Sequence, residues 1–227
     1  KWPPITAGDD PNQEILFDPY LVKDPNDGTQ NFLLDDVASS IYFAFGIKSE
    51  DKSLWGWGRD QDGQLGIGQN PDAVWPDYVD YRAPQLINNS NTWKTVSAGS
   101  FHGNAIDNDG KLWGWGYADN NFDASGFDTI IYTPTQVGTE SDWNIVSCGY
   151  QNTYLIKENG TLWVMGKNDL GSSGLGDNLD EEGIIQIGID SDWAKVNAYG
   201  KGAVAIKTNG ELYVWGDNQY GRLGFEP

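Results

Sequence analysis

The side chains able to do covalent or metal chemistry are few. His102 is the sole histidine and Cys148 the sole cysteine. No Ser-His-Asp order, Cys-His pair or His-rich metal spacing can be picked out, and one cysteine allows neither an intrachain disulfide nor a thiolate cluster. Asp107-Asn108-Asp109-Gly110 opens like a calcium loop. Its equivalents farther along, Glu158-Asn159-Gly160 and Thr208-Asn209-Gly210, keep the glycine and lose the acids. No chelating glutamate follows at the required spacing, so calcium is rejected. Carboxylates abound, 33 in all, and glycoside hydrolysis needs two of them about 5 Å or about 6.5–9.5 Å apart. No motif selects such a pair. The densest acidic run, Asp177-Asn178-Leu179-Asp180-Glu181-Glu182, reads as a solvated loop. The expectation is no catalytic residue, no metal and no cofactor.

Binding chemistry is better represented. Trp75, Tyr78, Tyr81 and Arg82 fall within fourteen residues that begin at Gln69, and Trp, Tyr and Arg dominate binding hot spots. Tyr117, Phe122 and Phe127 lie in a second stretch of the same character. These seven residues are the candidate partner-binding surface, and the partner they imply is a protein. The rival reading makes the first stretch a local lid with Trp75 buried.

What must position them is a repeat. Leu54-Trp55-Gly56-Trp57-Gly58 returns as Leu112-Trp113-Gly114-Trp115-Gly116, as Leu162-Trp163-Val164-Met165-Gly166 and as Leu212-Tyr213-Val214-Trp215-Gly216. The leucines fall 58, 50 and 50 residues apart. Trp93, Trp143 and Trp193 keep the same period, each three residues before a valine. A period of this length marks solenoids, propellers and arrays. Each unit reads strand, strand, turn, strand, Gly-rich loop, strand, and Asp-Gly or Asn-Gly between apolar runs is the strongest short hairpin signal. The Gly-rich loops (Asp62 to Gly66, Asp169 to Gly174, Tyr220 to Gly224) have no strand–loop–helix context and read as repeated turns, not phosphate cradles. The second unit's version, Asp119 to Gly126, is degenerate. Cys148 takes the small position of Ala98 and Ala198 and reads as a buried hydrophobe. The interval from Gly58 to Trp93 exceeds its counterparts by eight residues, and insertions in repeats map to one face, often the binding face.

The fold class is therefore all-β, a propeller-type array of about four four-stranded blades. Residues 1–14 read as an extended arm, and 15–227 as repeats with divisions near 15–92, 93–142, 143–192 and 193–227. The units resemble those of the regulator of chromosome condensation family, whose repeat runs Trp-x-x-Val-x-x-Gly, a His-containing strand, a Gly turn, an aromatic-x-Trp-Gly strand and a Gly-Gln-Leu-Gly loop. The resemblance covers about residues 34 to 224 and places His102 at the family's histidine position, where bonding within the blade is the expected role. The family's rings resemble seven-bladed propellers, whereas four units stand here. A spare Pro-led stretch, Pro19 to Val22, could complete the fourth unit. The favoured expectation is an arc completed by neighbouring chains or by further sequence.

Net charge is −19, which disfavours phosphate-backbone binding; no nucleic-acid partner is expected. No run of about 18 apolar residues exists to span a membrane. The chain opens Lys1-Trp2-Pro3-Pro4, which suggests that its first residue is not the first translated. The function expected is a non-enzymatic interaction or assembly module on the outside of a larger assembly such as a phage virion, binding other proteins, copies of itself or neighbouring subunits. The alternatives are a secreted propeller inhibitor of an enzyme and, as the resemblance implies, a guanine-nucleotide exchange factor.

Overall fold

The computed structural model describes residues 21–68, 80–87, 90–118 and 129–224. Fifteen strands lie among them. The first sheet holds β1 (Leu34–Ser39), β2 (Phe43–Lys48), β3 (Leu54–Arg59) and β4 (Asp80–Leu86). The second holds β5 (Trp93–Ala98), β6 (His102–Asp107), β7 (Leu112–Ala118) and β8 (Thr129–Gln136). The third holds β9 (Trp143–Cys148), β10 (Asn152–Lys157), β11 (Leu162–Gly166) and β12 (Glu181–Gln186). The fourth holds β13 (Trp193–Tyr199), β14 (Gly202–Lys207) and β15 (Leu212–Gly216), with no fourth strand among the described residues. Every sheet is an antiparallel meander, as the strand–strand–turn–strand reading requires.

The hairpin glycines are forced. Gly110, Gly160 and Gly210 take φ of +78°, +78° and +91°, a conformation costly for any residue with a Cβ. At Gly110 a Cβ would lie 2.4 Å from the Ser141 carbonyl oxygen, because this turn also docks on the chain entering the next sheet. The Trp143 amide donates to the Gly110 carbonyl at 3.0 Å, and the Trp193 amide does the same to Gly160. The fifty-residue beat is thus set by one turn catching the start of the next sheet.

Between successive sheets lie three apolar clusters. The first joins Phe45 and Leu54 to Trp93, Val96 and Trp115. The second joins Ile106 and Leu112 to Trp143, Val146 and Met165. The third joins Tyr154 and Leu162 to Trp193, Val196 and Ala203. Each marker tryptophan packs edge-on against the aromatic that follows the leucine on the third strand of its own sheet: Trp93 on Trp113 at 5.9 Å, Trp143 on Trp163 at 6.0 Å, Trp193 on Tyr213 at 4.9 Å. Offset and edge-on pairs of this kind add about 0.5–1.5 kcal/mol to their burial, which is how a chain with few aliphatics builds a core.

The chain divides after Phe32 into two compact units, Lys1–Phe32 and Leu33–Pro227. In the first, the Asp24 to Gly28 cluster turns the chain: the Gly28 amide donates to the Asp24 carbonyl, and the Asn26 amide to the Asp24 carboxylate at 2.9 Å. Pro19 and Tyr20, half of the stretch read as a spare strand, lie outside the described residues.

Candidate protein-interaction surface

The Gly-rich loops after the third strands are built alike. Leu65 donates its amide to the Asp60 carboxylate at 2.9 Å, Ser173 to Asn168 Oδ1 at 2.9 Å, and Leu223 to Asn218 Oδ1 at 3.0 Å. One hydrogen bond then closes each turn, from Gly66 to Gly63, Gly174 to Gly171 and Gly224 to Gly221. The repeated turn expected from the sequence is present. It also does something the sequence reading missed: it clasps the next sheet. Trp115 Nε1 donates to the Gln64 carbonyl at 3.0 Å, and Trp215 Nε1 to the Ser172 carbonyl at 3.1 Å. Gly66 and Gly174 lie flat on those indoles, where a Cβ would come within 2.6 and 2.9 Å of the ring. The signal was in the sequence: the degenerate second loop is followed by Met165 where its fellows are followed by tryptophan.

Each clasp fixes one end of the sheets, the end where second strands begin and third strands finish. Phe43 pairs with Gly58 and His102 with Gly116 at that edge. There the Gly68 amide donates to the Tyr132 carbonyl at 2.8 Å, so the base of the first loop lies on β8. Asp80 pairs with Arg59, and Thr129 with Ala118. The roots of both aromatic-rich connections, 69–79 and 119–128, are therefore neighbours on one end.

Of the seven candidate residues, Trp75, Tyr78, Phe122 and Phe127 lie outside the described residues. Arg82 is exposed on β4, and Tyr117 is half-buried on β7. Tyr81 packs partly against the first apolar cluster, and burial, helped by the charge of Asp60, raises its hydroxyl pKa. Its ring is thus part support, part surface. The same end gathers aromatics that the insertion argument passed over. Tyr42 is exposed with the Arg59 guanidinium 5.0 Å over its ring. Phe101 meets the exposed Tyr150 edge-on at 5.8 Å, and the Lys201 ammonium lies 5.7 Å over Tyr150. These sit in the turns before β2, β6 and β10, one residue or two ahead of each second strand. The opposite end carries the hairpin turns, with Glu50, Asp51, Asp109 and Glu158.

The residues weighed for chemistry are held in structural roles. His102 is buried and meets Thr153 of the next sheet at 3.1 Å. Thr153 Oγ1 gives its proton to Asn104 Oδ1 at 2.9 Å, so His102 donates from Nε2. The expected role within its own blade is accordingly extended to a bond between blades. Burial lowers the His102 pKa to about 4. Cys148 is buried and free, its thiol pushed up to about 11 by burial. It contacts Asn104 Oδ1 at 3.3 Å, so it is not a purely apolar filler. Asp107 accepts from the Asp109 and Lys111 amides and from Trp113 Nε1 at 2.8–3.0 Å. The run read as solvated is partly tied down: Asp177 accepts from Asn168 Nδ2 at 3.0 Å, and Asp180 from the Asn168 amide at 2.9 Å. No group of three or more metal-binding side chains converges among the described residues. No helix among them is long and apolar enough to cross a membrane.

Comparison with known proteins agrees with this architecture. Two models of the regulator of chromosome condensation (RCC1) repeat match, one over residues 51–106 and the other over 93–123, 144–172 and 193–222. Together they take in over half the chain. The chain belongs to the regulator of chromosome condensation repeat family. Its similarity to the ultraviolet-B receptor UVR8 of Arabidopsis thaliana is 30% identity over 106 residues, 47% of this chain and 22% of that protein. The human WBSCR16 structure superposes with a TM-score of 0.70 at 15% identity, covering 85% of this chain and 49% of that one. Prp20p of Saccharomyces cerevisiae, described with its binding to Gsp1p and histones, gives 0.68 at 18% identity, covering 84% and 46%. The chain thus spans less than half the length of these family relatives, and at such identities the structural likeness speaks for the propeller fold alone.

Proposed function

We propose that this chain is a non-enzymatic protein-binding module that engages its partner with the aromatic end of its first three sheets. The observation that carries the reading is the gathering of Tyr42, Arg82, Phe101, Tyr117 and Tyr150 at one end of rigid, clasped sheets. The fold needs no exposed aromatic there, and aromatic anchors are what protein interfaces use. The net charge of −19 supports a partner with a basic face, which it would attract over distance. Acidic, Asn- and Gly-rich composition supports a place on the outer surface of a larger assembly, a virion included.

Site-specific photo-crosslinking in cells that make the protein tests this. A photoreactive residue at Arg82 or Tyr150 should yield one discrete protein adduct, and the same residue at Asn209, at the opposite end, should yield none. Adducts of equal yield from both ends, or from neither, would overturn the reading. Accelerated nucleotide release from a small GTPase would instead assign an exchange factor, and a stoichiometric complex with a soluble enzyme would assign an inhibitor.

A further inference from the structure

At the hairpin-turn end of the sheets one position departs from the repeat. β2, β10 and β14 each end on a lysine, Lys48, Lys157 and Lys207, whereas β6 ends on Asp107. In the third and fourth sheets the lysine ammonium is held in a cage of acids and rings. Lys157 Nζ lies 3.0 Å from Glu140 and 3.0 Å from Asp142, 4.7 Å over the Trp143 ring and 5.0 Å over the Trp163 ring. Lys207 Nζ repeats this with Asp190 at 2.7 Å, Asp192 at 3.1 Å, Trp193 at 5.2 Å and Tyr213 at 5.3 Å. Carboxylates and aromatic faces both attract an ammonium, more strongly where little water screens them.

The second sheet keeps the frame and lacks the ammonium. Trp93 and Trp113 meet edge-on at 5.9 Å, as Trp143 and Trp163 do at 6.0 Å. One backbone bond pins the turn to the incoming chain in all three sheets: the Asn108 amide to the Thr92 carbonyl at 3.0 Å, Glu158 to Asp142 and Thr208 to Asp192 at 2.8 Å. The incoming acids are replaced here by Ser90 and Thr92, and the carboxylate comes from the strand instead. Asp107 is 4% exposed, and its side chain stops well short of where a lysine ammonium ends. Beyond it lies an open cavity of about 140 Å³, walled by Ser90, Asn91, Thr92, Asp107, Asn108 and Asp109. Their counterparts, 140–142 and 157–159, are the two segments between which Lys157 is held. Three neutral N–H groups reach the Asp107 carboxylate. Lys111 is turned to Asp109 at 3.2 Å, and among the described residues no cation lies within ion-pair distance of Asp107. A carboxylate buried to this degree is ordinarily paired with one.

We propose that this cavity binds a primary ammonium group carried on an alkyl chain, a free amine or a lysine side chain, which takes from outside the place that Lys157 and Lys207 fill from within. The three N–H donors of the ammonium meet the carboxylates of Asp107 and Asp109 and the hydroxyls of Ser90 and Thr92. The indole pair, within whose reach the sister ammonium groups lie, stands behind Asp107, which accepts from Trp113 Nε1 at 2.8 Å. The cavity is at the opposite end from the aromatic surface and uses none of its residues, so either proposal can fail alone. A net charge of −19 draws small cations to the whole chain. Selectivity for the ammonium and for this one turn therefore distinguishes the cavity from that background.

Amide NMR of the full chain, titrated with n-butylammonium chloride and separately with potassium chloride at matched ionic strength, tests this. The Thr92, Asn108 and Asp109 amides should shift saturably with butylammonium, half-saturating at millimolar concentration, while Glu158 and Asn159 of the third sheet stay where they are. Potassium should give no saturable shift. Nα-acetyl-lysine methylamide separates the two sources: binding as tight as that of butylammonium assigns a lysine side chain, and binding weaker by about tenfold or more assigns a free amine. Asp107→Lys combined with Ser90→Glu and Thr92→Asp copies the third sheet into the second and should abolish the response, because the cage is then filled from within. A wild type with no saturable shift up to about 100 mM butylammonium overturns the proposal without recourse to any variant. Equal shifts with potassium, or equal shifts in the third-sheet turn, overturn it as well, since they would mark an acidic surface only. So does a triple variant that keeps the wild-type melting profile and still responds.

Discussion

The first and second sheets meet differently from the second and third. In the first contact Trp115 packs edge-on against Phe45 at 5.3 Å and is latched to the Gln64 carbonyl. The third-to-fourth contact repeats this with Trp215 and Tyr154, 5.6 Å apart, latched to Ser172. In the second-to-third contact the position of Phe45 and Tyr154 holds Asn104, the indole is replaced by Met165, and the loop before it is the degenerate one. There the sheets are joined by a buried polar chain, His102 to Thr153 to Asn104, with Cys148 beside it. Three positions have changed together. An aromatic latch closes a contact from outside by covering it, and a polar network closes it from within by leaving no donor unmatched. Buried polar groups are tolerable only when all are satisfied, so the second kind of contact should be the more sensitive to small polar changes.

The largest effect should come from breaking a latch. Trp115→Ala removes a fully buried indole and its hydrogen bond, and should lower the free energy of unfolding by about 4 kcal/mol in chemical denaturation. Met165→Ala should cost less, near the low end of the 2–5 kcal/mol expected for such truncations. Equal losses would erase the distinction between the two contacts. Acid should next find the polar contact. His102 has its pKa lowered from 6.5 to about 4 by burial, so between those values the unfolded chain binds a proton that the folded one does not. Its stabilising effect is full above pH 6.5 and is lost as pH falls to 4, by roughly 2–3 kcal/mol. His102→Asn, which copies the residue of the third sheet, should flatten that limb; an unchanged acid limb would mean that other groups set it. Asn104→Ala should cost about 2 kcal/mol, because it removes the acceptor for the Thr153 hydroxyl proton and the side-chain donor to the Trp113 carbonyl from a buried contact. Tyr154→Phe, at the equivalent place in a latched contact, should cost less than that, and the opposite ranking would sink the claim that polar closure is the fragile kind.

The sequence made the strands, their order and the sheet-to-sheet period readable because each rests on a local rule. Asn-Gly and Asp-Gly demand positive φ, the Leu-aromatic-Gly strand repeats, and Trp93, Trp143 and Trp193 return on a fixed beat. What crosses between sheets was not readable in the same way. That the Gln64 carbonyl receives an indole fifty-one positions on, or that His102 reaches Thr153 of the next sheet, depends on distances between segments that no spacing encodes. The aromatic end proposed for binding was only half legible in the sequence. An insertion draws the eye to Trp75 and Arg82, whereas Tyr42, Phe101 and Tyr150 belong to turns of ordinary length and become a surface only when the sheets stand side by side. The acidic run from Asp177 to Glu182 reads as solvated, and Asp177 to Asp180 are exposed; what charge alone does not show is that Asp177 and Asp180 also accept hydrogen bonds from Asn168.

The smallest effect separates the two latched loops from each other. Where the later loops place Asn168 and Asn218, the first places Asp60. Its carboxylate receives the Leu65 amide as the asparagines receive theirs, but burial raises its pKa to about 6, with the Leu65 bond opposing and the charge of Asp62 adding to the rise. A carboxyl at about 6 in the folded chain and near 4 in the unfolded one binds more protons when folded, so stability falls as pH rises from 4 to 6 and stays lower above it. This runs opposite to His102, and the two slopes partly cancel in the wild type. Asp60→Asn keeps the acceptor and removes the charge, so it should stabilise the chain above pH 6 by about 1 kcal/mol, discounted for the solvent that the residue still meets. Below pH 4 it should change nothing. Since it uncovers the His102 limb, the variant should show a steeper loss between pH 6.5 and 4 than the wild type; a parallel pair of stability curves would mean that Asp60 stays charged in the folded loop, and that the first latch differs from the third in name only.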